Sequence, residues 1–484
     1  MIKNKNIIIC FIVFQFLSIQ LFSAQTQKSI GITAFENLDK DKEFDWIGVG
    51  FAETVASKLA YIKSLKIAEK SQLNKIIKEQ KLQMSGAIDQ NTIVEIGKFL
   101  DVEYIITGDY QKSGGELKVT AKIFDIETSK EINPVEVKGK FTDLFDIQNA
   151  LVFKIIQTIN APISEQEKIK IIKPVTKNII VYEWYAKGED SYEKNEYDAS
   201  LECYNKALKE SEKDDKNETI KSIILNSIGN IYAENGDYTN AMEYYNNGLK
   251  IVMETGDDQL SASYYNNIGI LLSQKGEISR ALENLEKSLK LYEKNKNESD
   301  IAATYFNIGC IYKNKTEYGP AIVYFNKSLK IARRITDEKL IAELCINIAN
   351  IFATQKDYKS VLDYCTEALK VIEKIAGDLQ RKSIYYANVA DIYRNIEKYK
   401  EAISLYNRSL ETIETGKKIK DENLKAMVLY NIAVLYGEQS DYKIALYFAN
   451  RALDTYNKLN DEKNIKDTQE IIKQLKEESG KNGN

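Results

Sequence analysis

Apolar positions along this chain change rhythm twice. Ile7 to Phe22 (IIICFIVFQFLSIQLF) is an almost unbroken apolar run behind a start that carries Lys3 and Lys5. From about residue 28 to 160, short apolar runs alternate with amphipathic ones. Ser29–Phe35, Ser64–Ala68, Val102–Tyr110, Glu116–Asp125 and Glu131–Phe141 read as strands, and Ser113-Gly114-Gly115 supplies a hairpin turn. Trp46–Tyr61, the run LNKIIKEQKL behind an N-capping Ser71, the run IVEIGKFL behind a Thr92/Glu95 capping box, and Asp143–Ile159 have helical spacing. This alternation predicts a small α/β domain over 28–160.

Beyond a stretch at 161–180 that holds Pro162 and Pro174 and reads as a linker, the pattern becomes periodic. Small residues recur at Gly188, Gly229, Gly269, Gly309, Ala349, Ala390 and Ala433, spaced by 41, 40, 40, 40, 41 and 43 positions. A sustained period in this range marks a solenoid. In the second unit the pattern continues as Tyr232, Gly236-Asp237-Tyr238, Ala241, Tyr245 and Gly248-Leu249; in the sixth as Tyr393, Tyr399, Ala402, Tyr406 and Ser409-Leu410. Small residues let two helices of a hairpin approach, while Tyr and Leu fill the space between hairpins. The expectation is seven helical hairpins over 181–460, a charged capping helix at 461–478 and a disordered tail at 479–484. The pattern resembles the tetratricopeptide repeat in its longer form, found in LGN-like and kinesin-light-chain-like arrays.

Composition narrows the chemistry. The chain has 484 residues, too many for one core, and no histidine. Imidazole-based nucleophile pairs, His-bearing zinc sites and phosphohistidine relays are thereby excluded. With 67 Lys+Arg against 71 Asp+Glu and no basic stripe, no nucleic-acid partner is expected. No metal, cofactor or catalytic residue is assigned. Cys203, Cys310, Cys345 and Cys365 are far apart without CxxC spacing and read as buried free thiols, a disulfide or reactive site being the alternative. Gly48-Val-Gly50 reads as helix packing rather than a phosphate loop, since Glu53 stands where a third glycine belongs.

The basic start, the apolar run and Ser23-Ala24-Gln25 read as an export signal over 1–24, either removed or kept as an inner-membrane anchor. GITAFENL, AEKSQLNKIIKEQKLQMSG, IGKFLDVEYIITGDY and FDIETSKEI, in that order, resemble the periplasmic domain of the curli-secretion (CsgG-like) family. That family's secretion channel uses a lipidated N-terminal Cys and long alternating hairpins. Here Cys10 lies mid-run and the strands are short, so the resemblance implies a periplasmic module and counts against a pore.

A second periodicity bears on function. Two positions before the small residue stand Ser227, Asn267, Asn307, Asn347, Asn388 and Asn431, with Ala186 in the first unit. In the tetratricopeptide fold this side of the first helix lines the concave groove. An Asn side chain both donates and accepts, so one per repeat can pair with the backbone of an extended peptide. The series resembles the asparagine ladder of the O-linked N-acetylglucosamine transferase array; bonding between neighbouring helices is the competing reading. Nearby Asn230, Asn266, Asn350, Asp391 and Arg394 are mixed in charge and imply no strongly acidic or basic ligand. The 31 tyrosines read mostly as repeat core, with a stacking surface for sugars or bases as the other reading. Together these point to an exported, non-enzymatic scaffold. Its groove binds a polypeptide, and its first domain docks to an envelope or outer-membrane protein. A ring-forming subunit of a secretion or assembly complex, and a sensor acting through a partner, are the alternatives.

Overall fold

The computed structural model describes residues 28–62, 64–68, 90–100, 102–173, 176–213, 218–375, 379–415 and 422–481. The apolar run at 7–22, the helix expected at 73–82 and the last three residues lie outside them.

The N-terminal unit is one mixed sheet. Strands β1 (Lys28–Ile32), β2 (Glu36–Asn37), β3 (Leu65–Ile67), β4 (Tyr104–Ser113), β5 (Glu116–Asp125) and β6 (Lys130–Lys140) form it in the order β3-β1-β4-β5-β6, with β2 on β4. β1 runs parallel to β3 and β4, while β4, β5 and β6 form an antiparallel meander. The β4–β5 hairpin pairs without interruption from Tyr104↔Asp125 to Ser113↔Glu116. Its turn needs a left-handed residue, and Gly114 supplies it at φ +60°.

Period-2 alternation on β5 puts Leu117, Val119, Ala121 and Ile123 in the core. Helices α1 (Trp46–Leu59) and α3 (Leu144–Thr158) share that core, with Phe51, Val55, Leu151 and Ile155 fully buried. On the other face α2 (Gln90–Leu100) covers Ile105 and Phe124 with Ile93 and Ile96. Thr92 sits inside α2 instead of capping it. Gly48 lies in α1, where a Cβ would come within 2.0 Å of the Phe35 carbonyl oxygen, so close helix–strand approach accounts for this glycine.

The stretch expected as a linker carries a helix, α4 (Glu165–Ile172), opened by a Ser164/Glu167 capping box. Buried Lys58 pins it, donating to the Ile171 carbonyl and, at 2.7 Å, to Asn149 Oδ1. Burial brings the Lys58 ammonium down to about 8.

Seven hairpins follow: α5 (Ile179–Glu193) with α6 (Tyr197–Ser211), α7 (Glu218–Glu234) with α8 (Tyr238–Thr255), and α9 (Asp258–Gln274) with α10 (Ile278–Asn295). Then come α11 (Glu298–Asn314) with α12 (Tyr318–Arg334), α13 (Glu338–Thr354) with α14 (Tyr358–Lys374), α15 (Leu379–Asn395) with α16 (Tyr399–Thr415), and α17 (Glu422–Glu438) with α18 (Tyr442–Leu459). Helix α19 (Glu462–Lys481) closes the row with Ile472 and Leu475 packed against Ala445 and Ala449; it extends through Gly480 and Lys481, which the sequence places in the tail. Asp237, Asp257, Asn297, Asp337, Asp357 and Asp441 each cap a helix by accepting from a first-turn amide.

The α/β unit and the first hairpin share a core. Tyr182 of α5 is buried between Trp46 and Phe145, edge-on to both, with ring centroids 6.0 and 5.6 Å away. Its hydroxyl donates to the Gly50 carbonyl and accepts from Thr54 Oγ1 at 2.6 Å and Gln148 Nε2 at 2.9 Å.

Candidate functional site

In the four hairpins whose small residue is glycine, it faces the residue sixteen positions later in the second helix. A Cβ on Gly229 would stand 2.5 Å from the Tyr245 ring, and one on Gly309 2.5 Å from Phe325. The residue just after the small one also meets the second helix in three of the hairpins. Where the second helix offers a tyrosine, that residue is an acceptor: Tyr204 donates to Glu189 (2.6 Å), Tyr245 to Asn230 (2.8 Å) and Tyr406 to Asp391. Buried phenols thus find partners on the first helix.

All six ladder positions lie on first helices and are half-buried. Upstream, Asn267 and Asn307 bond to other asparagines on the preceding first helix. Asn267 Nδ2 on α9 donates to Asn226 and Asn230 on α7, at 3.1 and 3.3 Å, and Asn307 Nδ2 on α11 donates to Asn266 on α9 at 3.2 Å. Ser227 donates to Glu189 at 3.3 Å.

Downstream the arrangement opens. A cavity of about 430 Å³ lies between α11, α13 and α15. Asn347, Asn350, Asn388 and Asp391 line it together with Lys313, Glu343, Arg381, Ile346, Ile384 and Tyr385. Lys313 Nζ donates to Asn347 Oδ1 at 2.6 Å, and Asn347 Nδ2 to the Glu343 carbonyl at 2.9 Å. Burial raises the Glu343 carboxyl, while nearby Arg381 and Lys313 pull it back. Burial likewise raises Asp391, opposed by its Tyr406 hydrogen bond and by Arg394. Arg394 is held by both carboxylate oxygens of Glu438 on α17. Asn431 stands on α17, outside the cavity lining.

Lys313, Glu343, Arg381 and Tyr385 escape a reading that follows only the Asn series. A signal was available: residues four positions before each ladder Asn share its helix face. They are Ser263 and Ala303 upstream but Glu343 and Ile384 downstream. The four cysteines of the repeats are free; Cys345 and Cys365 are buried, and burial pushes the Cys310 thiol up to about 11. Among the described residues no helix is long and apolar enough to cross a membrane, and no acidic or cysteine cluster could hold a metal.

Comparison with known proteins agrees with this architecture. A family model described as curli production assembly/transport component CsgG matches residues 15–162. Models described as tetratricopeptide repeat match 220–294, 302–334 and 340–415. No curated protein matches the chain. Among solved structures, aspartyl phosphate phosphatase F from Bacillus subtilis is similar at 13% identity, with 84% of this chain and 94% of that one covered and a TM-score of 0.46. The apo quorum sensor NprR from B. thuringiensis is similar at 14% identity, with 70% and 95% covered and a TM-score of 0.41. A tetratricopeptide repeat protein from Parabacteroides merdae gives 17%, 62%, 99% and 0.39. At that overlap none of the three says what this chain does. The repeats support a protein-interaction scaffold or regulator, and the first domain suggests a relation to the cell envelope. The chain is a tetratricopeptide-repeat protein with an N-terminal CsgG-like domain.

Proposed function

We propose that the chain is an exported, non-enzymatic adaptor whose groove holds an extended polypeptide while the CsgG-like domain docks to an envelope component. The observation that supports this reading is the downstream cavity. Three successive first helices bring amides, two cations and two carboxylates together over an apolar floor of Ile346, Ile384 and Tyr385. Amides that donate and accept suit a peptide backbone, and opposed charges suit mixed side chains on an otherwise neutral strand. The net charge of the lining is near zero, so affinity rests on shape and hydrogen bonding, with little help from long-range steering.

The test is crosslinking in cells, followed by capture from the envelope fraction and mass spectrometry. A parallel strain carries Asn307→Ala, Asn347→Ala and Asn388→Ala. A defined protein that co-purifies with the wild type and is lost from the folded triple variant supports the adaptor and its ladder. Equal recovery by both forms sinks the ladder. Capture of self-crosslinked rings alone replaces the adaptor with the ring-forming subunit.

A further inference from the structure

Exposed large apolar side chains are mostly scattered singly, which needs no explanation. Ile169, Ile172 and Ile180 depart from that. Ile169 and Ile172 of α4 are 69% and 54% exposed, and Ile180, in the first turn of α5, is 51% exposed. Spaced by three on one helix, Ile169 and Ile172 share a face. The fold holds that face outward. Ile171 on the opposite side is fully buried, its carbonyl accepts from Lys58, and the Ile172 carbonyl accepts from Asn149 at 3.4 Å.

Lysines predominate around this face, with Glu165 on the same helix and Asp257 of the repeats near Tyr61 as the acidic neighbours. Lys170, Lys173 and Lys177 are exposed, and Lys168 pairs with Glu165 at 2.6 Å. Lys170 lies 5.5 Å from the Tyr61 ring. Glu167 is turned inward, taken up by Ser164. Protein–protein interfaces favour Tyr, Trp and Arg and are depleted in Lys. Exposed isoleucines ringed by long lysines instead suit a layer with acyl chains below and anionic headgroups above.

The described chain begins at Lys28, whose Nζ donates to the Ile159 carbonyl at 2.6 Å, and Ser64 Oγ donates to the Pro162 carbonyl at 3.0 Å. The start of β1 therefore lies beside the segment that leads into α4. We infer that the Ile169–Ile172 face of α4 and its lysines form a docking surface for an anionic lipid bilayer, setting the orientation in which the protein rests on a membrane.

The experiment uses the full chain and reads the patch itself. Amide hydrogen exchange of residues 165–173 is measured on phosphatidylglycerol/phosphatidylcholine vesicles and on phosphatidylcholine alone. The expected result is slowed exchange in α4 on the anionic vesicles only. With each lysine near the surface worth about a five-fold change, Lys170→Gln with Lys173→Gln raises the half-protecting lipid concentration about 25-fold. Ile169→Ser with Ile172→Ser abolishes protection, while circular dichroism verifies the fold of both variants. Unchanged α4 exchange on vesicles that carry the protein overturns the inference. So does equal protection on neutral lipid, and so does protection that appears only when a second protein is added.

Discussion

The upstream and downstream halves of the asparagine series use the same residue type to different ends. Between α7 and α11, asparagine amides meet asparagine carbonyls on the neighbouring first helix, and the polar groups satisfy each other. Between α11 and α15 the asparagines stand among Lys313, Glu343 and Arg381 around a cavity. Asn347 is also bonded across repeats, to Lys313 on α11, but it borders an open cavity with room for a ligand. The ladder as read from spacing is thus two devices in series: a brace upstream and a candidate binding surface downstream.

The largest effect separating the halves is steric. Gly309→Val should cost about 3 kcal/mol, because its Cβ would meet the Phe325 ring at 2.5 Å. Ala349→Gly, at the equivalent position of the next repeat, should cost about 2 kcal/mol, through helix propensity and the loss of a fully buried methyl. Denaturant titration of both compares them directly, and equal losses would erase the distinction in packing.

Next in size is partner binding. Asn347→Ala with Asn388→Ala should weaken it roughly 30-fold, at about 1 kcal/mol per hydrogen bond. Asn267→Ala should leave affinity nearly untouched and lower stability by about 1 kcal/mol. Titrating one partner peptide against both variants checks this; the reverse ranking would assign the brace and the binding surface the other way round.

The smallest effect is a pH dependence. Glu343 is raised above its ordinary 4.5 by burial, so the folded protein holds that proton more tightly than the unfolded chain. Stability from this group is therefore lost as pH rises from 4.5 through the raised value, and regained on acidification. Glu343→Gln should flatten that part of the melting-temperature profile while leaving the wild-type and variant curves parallel elsewhere. A profile unchanged by the substitution would remove Glu343 from the account.

Local pattern carried much of the fold. β5 occupies the residues its alternation marks, Glu116–Asp125, because both its neighbours pair along nearly all of it. β4 reaches Ser113 although Gln111-Lys112-Ser113 has no strand composition, since hairpin pairing extends to the turn. Two capping boxes show where local reading stops. Ser164 with Glu167 opens α4 inside a stretch that its prolines mark as a linker, while Thr92 with Glu95 falls within a helix already under way. The motif is the same, and only the preceding backbone decides whether it caps. In the groove, helical spacing put the asparagines on one face. Whether they bond the preceding first helix, and through which residue, depends on the separation of successive first helices, and a one-repeat pattern does not encode that.

Repeat arrays lose structure from their ends, where a unit has one neighbour instead of two. Here the ends are unequal. At the front, Tyr182 is seated in the core of the α/β unit, so the first hairpin can open only if that core opens with it. At the back, a single helix holds the last hairpin through Ile472 and Leu475. Fraying should therefore travel one way, from α19 toward the cavity, and a ligand bound between α11 and α15 would act as a stop partway along that path.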